Sequence, residues 1–99
     1  MKNKFLTLIL ALLALSIAAR AAVVDTLETN SMAMKKSIKT VIIKPDRYAE
    51  LKEMPVVYLL HGYSGDYKDW TSKAADVKNL ADLYNILIVC PDGGYGSWY

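Results

Sequence analysis

The chain has 99 residues, of which 54% are hydrophobic and 22% charged, with 5 Gly and 3 Pro. That length allows one small domain and excludes a complete enzyme of any large fold, while the composition excludes disorder, collagen-like repeats and low-complexity assembly. The net charge of +2 is too small to indicate a nucleic-acid partner.

The charge is unevenly placed. Lys2, Lys4 and Arg20 all precede the first acidic residue, Asp25, so the rest of the chain carries 9 basic and 10 acidic side chains. Between them, Phe5 to Ala19 is an unbroken run of Phe, Leu, Ile, Ala, Thr and Ser. A basic start, an apolar segment too short to span a bilayer comfortably, and the small-residue pattern Ala19-Arg20-Ala21 predict a secretory signal peptide over residues 1–21. Cleavage is expected after Ala21, with Ala19 the second position, and no cysteine stands where a lipoprotein would need one. The mature segment, residues 22–99, is then expected in a periplasm or secreted, meeting the membrane only during export.

Cys90 is the only cysteine, so no intrachain disulfide can staple that segment, which must hold together by its apolar core. Together with the aromatic run Gly93-Gly94-Tyr95-Gly96-Ser97-Trp98-Tyr99, this leads us to expect one incomplete domain. No internal repeat or Gly/Ser linker divides it.

A first strand is expected around Thr26 to Met34 and a second over Ile38 to Lys44, closed by Pro45-Asp46. Pro55 to Leu60 and Ile86 to Cys90 are continuous apolar runs, the pattern of strands covered on both faces of a parallel sheet. Between them Val77, Leu80, Ala81 and Tyr84 fall on one stripe of a helix whose other face carries Asp76, Lys78, Asn79 and Asp82. Asp69, Thr71 or Ser72 offer side chains to cap its start, and Asn85 is placed to end it. Strand, loop, helix and strand in that order make a βαβ unit and an α/β architecture.

In an open α/β sheet functional loops lie at the carboxyl ends of the strands. Two loops qualify, His61-Gly62-Tyr63-Ser64-Gly65-Asp66 and Pro91-Asp92-Gly93-Gly94-Tyr95-Gly96-Ser97-Trp98, both Gly-rich where main-chain N–H groups can face a ligand. The string Met54-Pro55-Val56-Val57-Tyr58-Leu59-Leu60-His61-Gly62-Tyr63-Ser64-Gly65, then Asp69-Trp70, then Pro91-Asp92-Gly93-Gly94 with Ser97-Trp98-Tyr99, resembles the start of an esterase family of α/β-hydrolases. That family includes feruloyl and acetyl-xylan esterases, formylglutathione hydrolases and mycolyltransferases. The resemblance covers roughly Thr40 to Tyr99.

The resemblance implies the N-terminal part of an α/β-hydrolase fold and ester hydrolysis through a serine acyl-enzyme, with no cofactor. It implies that the backbone N–H of Tyr63, after His61-Gly62, is one of two donors to the tetrahedral oxyanion. The expected substrate is a small-molecule or carbohydrate-linked ester. The pattern departs from the family in one respect: no G-x-S-x-G occurs, since Ser64 is followed by Gly65-Asp66 and Ser97 is preceded by Tyr95 and Gly96. None of the triad is therefore expected within these residues, and the segment alone is expected to be inactive. A small exported binding module with a βαβ core, noncatalytic, is the competing expectation.

The remaining residues are assigned plainer roles. His61, the only histidine, is expected to fix the oxyanion loop rather than act as base. Trp70 is expected to pack on the core, while Tyr95 and Trp98, on a strand-end loop, are substrate-binding candidates. Asp66, Asp69 and Asp92 lack a metal-ligand spacing and are expected in turns and caps, with no metal bound. Cys90 reads as a small inert hydrophobe, and Lys35, Lys36 and Lys39 as a solvated face. Gly93-Gly94-Tyr95-Gly96 is not followed by a helix start, against nucleotide binding.

Overall fold

A computed structural model describes residues 2–15 and 20–96. Helix α1, Lys2–Leu15, covers most of the apolar N-terminal run. Its large side chains, Phe5 to Leu13, are exposed, and among the described residues no helix is long and apolar enough to cross a membrane. Residues 16–19 of the expected signal segment lie outside the described residues.

Strands β1 (Val23–Ser31) and β2 (Lys36–Lys44) form an antiparallel hairpin in which Ser31 faces Lys36. The first strand thus starts and ends about three residues earlier than the apolar pattern suggests. The hairpin turn at residues 32–35 has no Asn-Gly or Asp-Gly signal; Lys35 takes the left-handed conformation (φ 53°) and the Ser31 hydroxyl accepts the Met34 N–H. Strand β3 (Val56–Tyr58) and strand β4 (Leu87–Pro91) pair in parallel, and β4 also pairs antiparallel with β2. The sheet order is β1-β2-β4-β3. It is a mixed sheet with helices, of the α/β class that the sequence implies.

Alternation within β2 and β4 builds the core. Val41 faces Cys90 and Ile43 faces Ile88 across the ladder, all on one side of the sheet because side chains repeat every second residue. Val77 and Ala81 of helix α3 (Val77–Tyr84) pack against them, and Ile43 and Ala81 are completely buried. At Ala81 the missing bulk lets the helix approach the strands closely.

Three expectations need correction. The strands are covered on one face: Val56 and Tyr58 of β3 are exposed, and β4 alternates half-buried and buried residues. The continuous apolar runs signalled burial on both faces, but only the α3 side is filled among the described residues. The helix stripe is likewise half used, since Val77 and Ala81 are buried whereas Leu80 and Tyr84 flank them in solvent. Finally, Asp69, Thr71 and Ser72 do not cap α3; they lie in a separate short helix, α2 (Asp69–Lys73), and α3 starts at Asp76 without a side-chain cap.

Asn85 does end α3, in the left-handed conformation (φ 50°), with its N–H donating to the Ala81 carbonyl. Its side-chain Oδ1 is buried without a hydrogen-bond partner among the described residues, a cost of about 1–3 kcal/mol. Asn85→Gly removes that acceptor and suits the backbone, so it is expected to stabilise the fold by about 1 kcal/mol in urea denaturation. Burial pushes the Cys90 thiol up from its ordinary value. The folded state therefore favours the protonated thiol, a stabilisation present below the ordinary thiol range and lost as pH rises through the raised value. Iodoacetamide at pH 8 is expected to spare Cys90 in the native protein and to label it in denaturant.

Candidate active-site loops

Parallel pairing of β3 with β4 brings the carboxyl ends of both strands to the same edge of the sheet. The Leu59 N–H donates to the Val89 carbonyl at 2.9 Å, extending the ladder past Tyr58. The chain then leaves β3 at Leu60 into His61-Gly62-Tyr63-Ser64-Gly65, and leaves β4 at Pro91 into Asp92-Gly93-Gly94-Tyr95. These two segments are cross-linked.

His61 makes the central link. Its side chain is 2% exposed, and both ring nitrogens are engaged by backbone: Nδ1 meets the Gly62 carbonyl at 2.8 Å, and Nε2 accepts the Gly93 N–H at 2.9 Å. An amide donor at Nε2 requires a lone pair there, so the ring proton sits on Nδ1 and is donated to Gly62. The Asp92 carboxylate lies 3.5 Å from Nε2, but in this tautomer no proton lies between them. Asp92 Oδ1 instead accepts the Gly94 N–H at 2.8 Å, closing a tight turn in which Gly94 has φ 89°.

A second link runs from the Ser64 N–H to the Tyr95 carbonyl, at 2.9 Å, and a third is the edge-to-face contact of the Tyr63 and Tyr95 rings, 5.5 Å between centroids. Within the first loop the Gly65 N–H donates to the Gly62 carbonyl at 3.0 Å. Ser64 is in the left-handed region (φ 61°). A Cβ on Gly65 would push the Asp69 carboxylate aside and lie 3.1 Å from the Gly62 oxygen, so a larger residue there would crowd the turn against α2. The Ser64 and Gly65 amides, which follow Tyr63, are thus used internally, while the Gly62 N–H before it has no hydrogen-bond partner among the described residues. The Tyr63 N–H has no hydrogen-bond partner among the described residues.

Tyr63 and Tyr95 are 75% and 69% exposed, leaving both rings available beside that amide. Trp98, the other aromatic candidate, lies outside the described residues. Trp70 packs against the core, half-buried, and its indole N–H donates to the Leu60 carbonyl at 3.1 Å. It also lines a depression of about 260 Å³ with His61, Gly62, Asp69, Lys73 and Ala74. Asp69 and Lys73 on this rim form a 3.1 Å ion pair, and their i,i+4 spacing is the one sequence signal of it. Asp66 caps the following turn through the Lys68 N–H. Among the described residues no group of three His, Cys, Asp or Glu side chains converges as a metal site.

A mixed sheet ordered β1-β2-β4-β3, with a glycine-rich loop after β3 tied to the loop after β4, defines the α/β-hydrolase class of fold. The structure matches a ferulic acid esterase with a TM-score of 0.67 at 24% identity, covering 81% of this chain and 34% of that one. Residues 31–99 match the family model described as "Putative esterase", and the chain belongs to that family. An esterase of Mycobacterium tuberculosis is 36% identical over 59 residues, which is 59% of this chain and 13% of the relative. The acetyl esterase of Caldicellulosiruptor saccharolyticus is 37% identical over 54 residues, 50% of this chain and 20% of the relative. The chain thus spans a fifth or less of these curated relatives.

Truncating His61 removes the ring nitrogen that accepts the half-buried Gly93 N–H and cuts this link between the loops. His61→Ala is expected to lower stability in urea denaturation by about 1–3 kcal/mol. His61→Gln, which places an amide oxygen near the Nε2 position, is expected to recover most of the loss.

Proposed function

We propose that these residues are the N-terminal part of a serine-dependent carboxylic ester hydrolase, and that the Tyr63 backbone N–H is one of its two oxyanion donors. The observation that carries this reading is the Tyr63 amide, which has no partner among the described residues and is followed by two bonded amides, those of Ser64 and Gly65, in a chain of the esterase family. A preorganised amide stabilises the charge that develops on the carbonyl oxygen during serine attack without having to reorganise, because its position is already set by the fold. The His61 bridge supports that preorganisation and leaves neither ring nitrogen free for proton transfer.

The nucleophile, its general base and the orienting acid are supplied by residues outside these 99, because the strained G-x-S-x-G turn that presents an attacking serine is absent from them. The segment alone is inactive. Residues 1–21 direct export and are removed, so that the enzyme works in a periplasm or outside the cell. Its substrate is a small acyl or aromatic acyl ester, either a free small molecule or one carried on carbohydrate. The esterase, acetyl esterase and ferulic acid esterase names of its relatives support that class, and the exposed Tyr63 and Tyr95 rings offer an aromatic surface beside the donor.

The test is p-nitrophenyl acetate hydrolysis by the full polypeptide and by residues 22–99 alone. The full protein is expected to turn over and to be labelled by a fluorophosphonate, and the segment to do neither. Turnover by the segment above buffer would overturn its assignment as inactive. In the full protein Tyr63→Pro deletes the amide proton and is expected to lower kcat about 10²–10³-fold with little change in KM. Tyr63→Phe keeps the amide and is expected to retain kcat. An undiminished kcat in Tyr63→Pro would remove the oxyanion assignment.

A further inference from the structure

Among the described residues Ala22 is the first to enter the folded core. It is 5% exposed, and its backbone N–H donates to Asp82 Oδ2 at 3.0 Å. The other oxygen of the same carboxylate accepts the Asp46 N–H at 2.9 Å. Asp82, on α3, thus fastens both the entry to β1 and the turn after β2. Among the described residues no Lys, Arg or His forms an ion pair with it. A half-buried carboxylate satisfied only by neutral amides is well placed to gain from a cation at one of those positions.

Ala22 is also the residue that follows Ala19-Arg20-Ala21. We propose that hydrolysis of the Ala21–Ala22 bond by an export endopeptidase creates an α-ammonium group that is captured by Asp82 as the protein folds. The inference rests on the reading of residues 1–21 as a cleaved leader. In the hydrolysis, water adds its hydroxyl to the Ala21 carbonyl carbon and the C–N bond breaks; the Ala22 nitrogen takes water's remaining proton and the proton of the new Ala21 carboxylic acid, leaving –COO− and –NH3+. Because Ala22 is buried in the fold, the cut precedes folding, and the new charge arrives where a neutral amide would have donated. The hydrogen bond to Asp82 becomes charge-assisted, roughly twice as strong as its neutral counterpart.

Cleavage at the second position, after Ala19, would instead leave Arg20 at the terminus and keep the 2.8 Å Arg20–Glu50 pair. That pair is 69% and 50% exposed and of the kind that contributes little to stability. The Asp82 contact favours Ala22. The charged groups on the surrounding elements are Lys78 beside Asp82 on α3, Asp46 and Arg47 in the turn after β2, and Asp25 and Lys44, which pair with each other at 2.9 Å across the hairpin. A free α-amino group titrates near about 7.7–8.0, and the Asp82 partner raises that value in the folded state. The stabilisation is therefore complete below the unfolded value and is lost as pH rises through the folded one.

The test is intact-mass analysis of the full-length protein recovered from an exporting bacterial host, followed by melting of full-length proteins that begin at Ala22 or at Ala21, each with Asp82 or Asp82→Asn. Mass analysis is expected to give Ala22 as the first residue. The Ala22-initiated protein is expected to melt about 2–4 °C above the Ala21-initiated one at pH 6.5. That gap is expected to close by pH 10 and to vanish in the Asp82→Asn pair. A gap that is missing or independent of pH, with Ala22 found at the terminus, overturns the capture while leaving the leader intact. A retained leader overturns the export reading and the capture together, and a start at Arg20 overturns the capture alone. Should Asp82→Asn fail to fold, the pH dependence of the gap in the two Asp82 proteins still decides.

Discussion

The insertion of β4 between β2 and β3 is the constraint on which the rest of this structure depends. Its antiparallel ladder to β2 sets Val41 opposite Cys90 and Ile43 opposite Ile88, and these four make the floor on which Val77 and Ala81 sit. Its parallel ladder to β3 puts two strand ends side by side. Without the first ladder there is no core; without the second, the His61 loop and the Gly93 loop have no reason to meet.

From that adjacency the local chemistry follows by hydrogen-bond accounting. A nearly buried imidazole between two glycine-rich turns must satisfy both ring nitrogens, and it does so with a carbonyl from one turn and an amide from the other. The cost of leaving either unsatisfied makes the two loops one rigid unit. Among the described residues the Gly62 and Tyr63 amides are left over from this accounting. The oxyanion role proposed above falls on Tyr63 because electrostatic stabilisation depends on dipoles already aimed at the developing charge.

The same sheet carries surface that an isolated small domain would avoid. Val56 and Tyr58 on the outer strand, and Leu80, Leu83 and Tyr84 on α3, are all exposed, and β3 is an edge with an unpaired side among the described residues. Exposed apolar edges of this sort invite further pairing. The chain spans about a third of the solved ferulic acid esterase it resembles.

Much of this was legible in the residues. β-branched runs closed by Pro45-Asp46 and by Pro91-Asp92 marked strands, the Val77/Ala81 spacing marked the helix, and Asn85 marked its end, because each signal is local: backbone sterics and side-chain periodicity act within a few residues. The string from Tyr58 to Gly65 with Pro91-Asp92-Gly93-Gly94 also carried the family. Burial was not legible in the same way. An apolar run reads alike whether one face or both are covered, so the pattern does not distinguish Val56, Tyr58, Leu80 and Tyr84, which lie in solvent, from buried residues. The hairpin register was missed because Met32 to Lys35 contain no turn signature. What only the tertiary structure decided is the set of contacts between residues far apart in sequence: the His61–Gly93 bridge, the Ser64–Tyr95 bond, and the fastening of Ala22 and Asp46 by Asp82. These depend on which strands become neighbours, a choice made by the cooperative burial of the whole sheet and stated by no single stretch of chain.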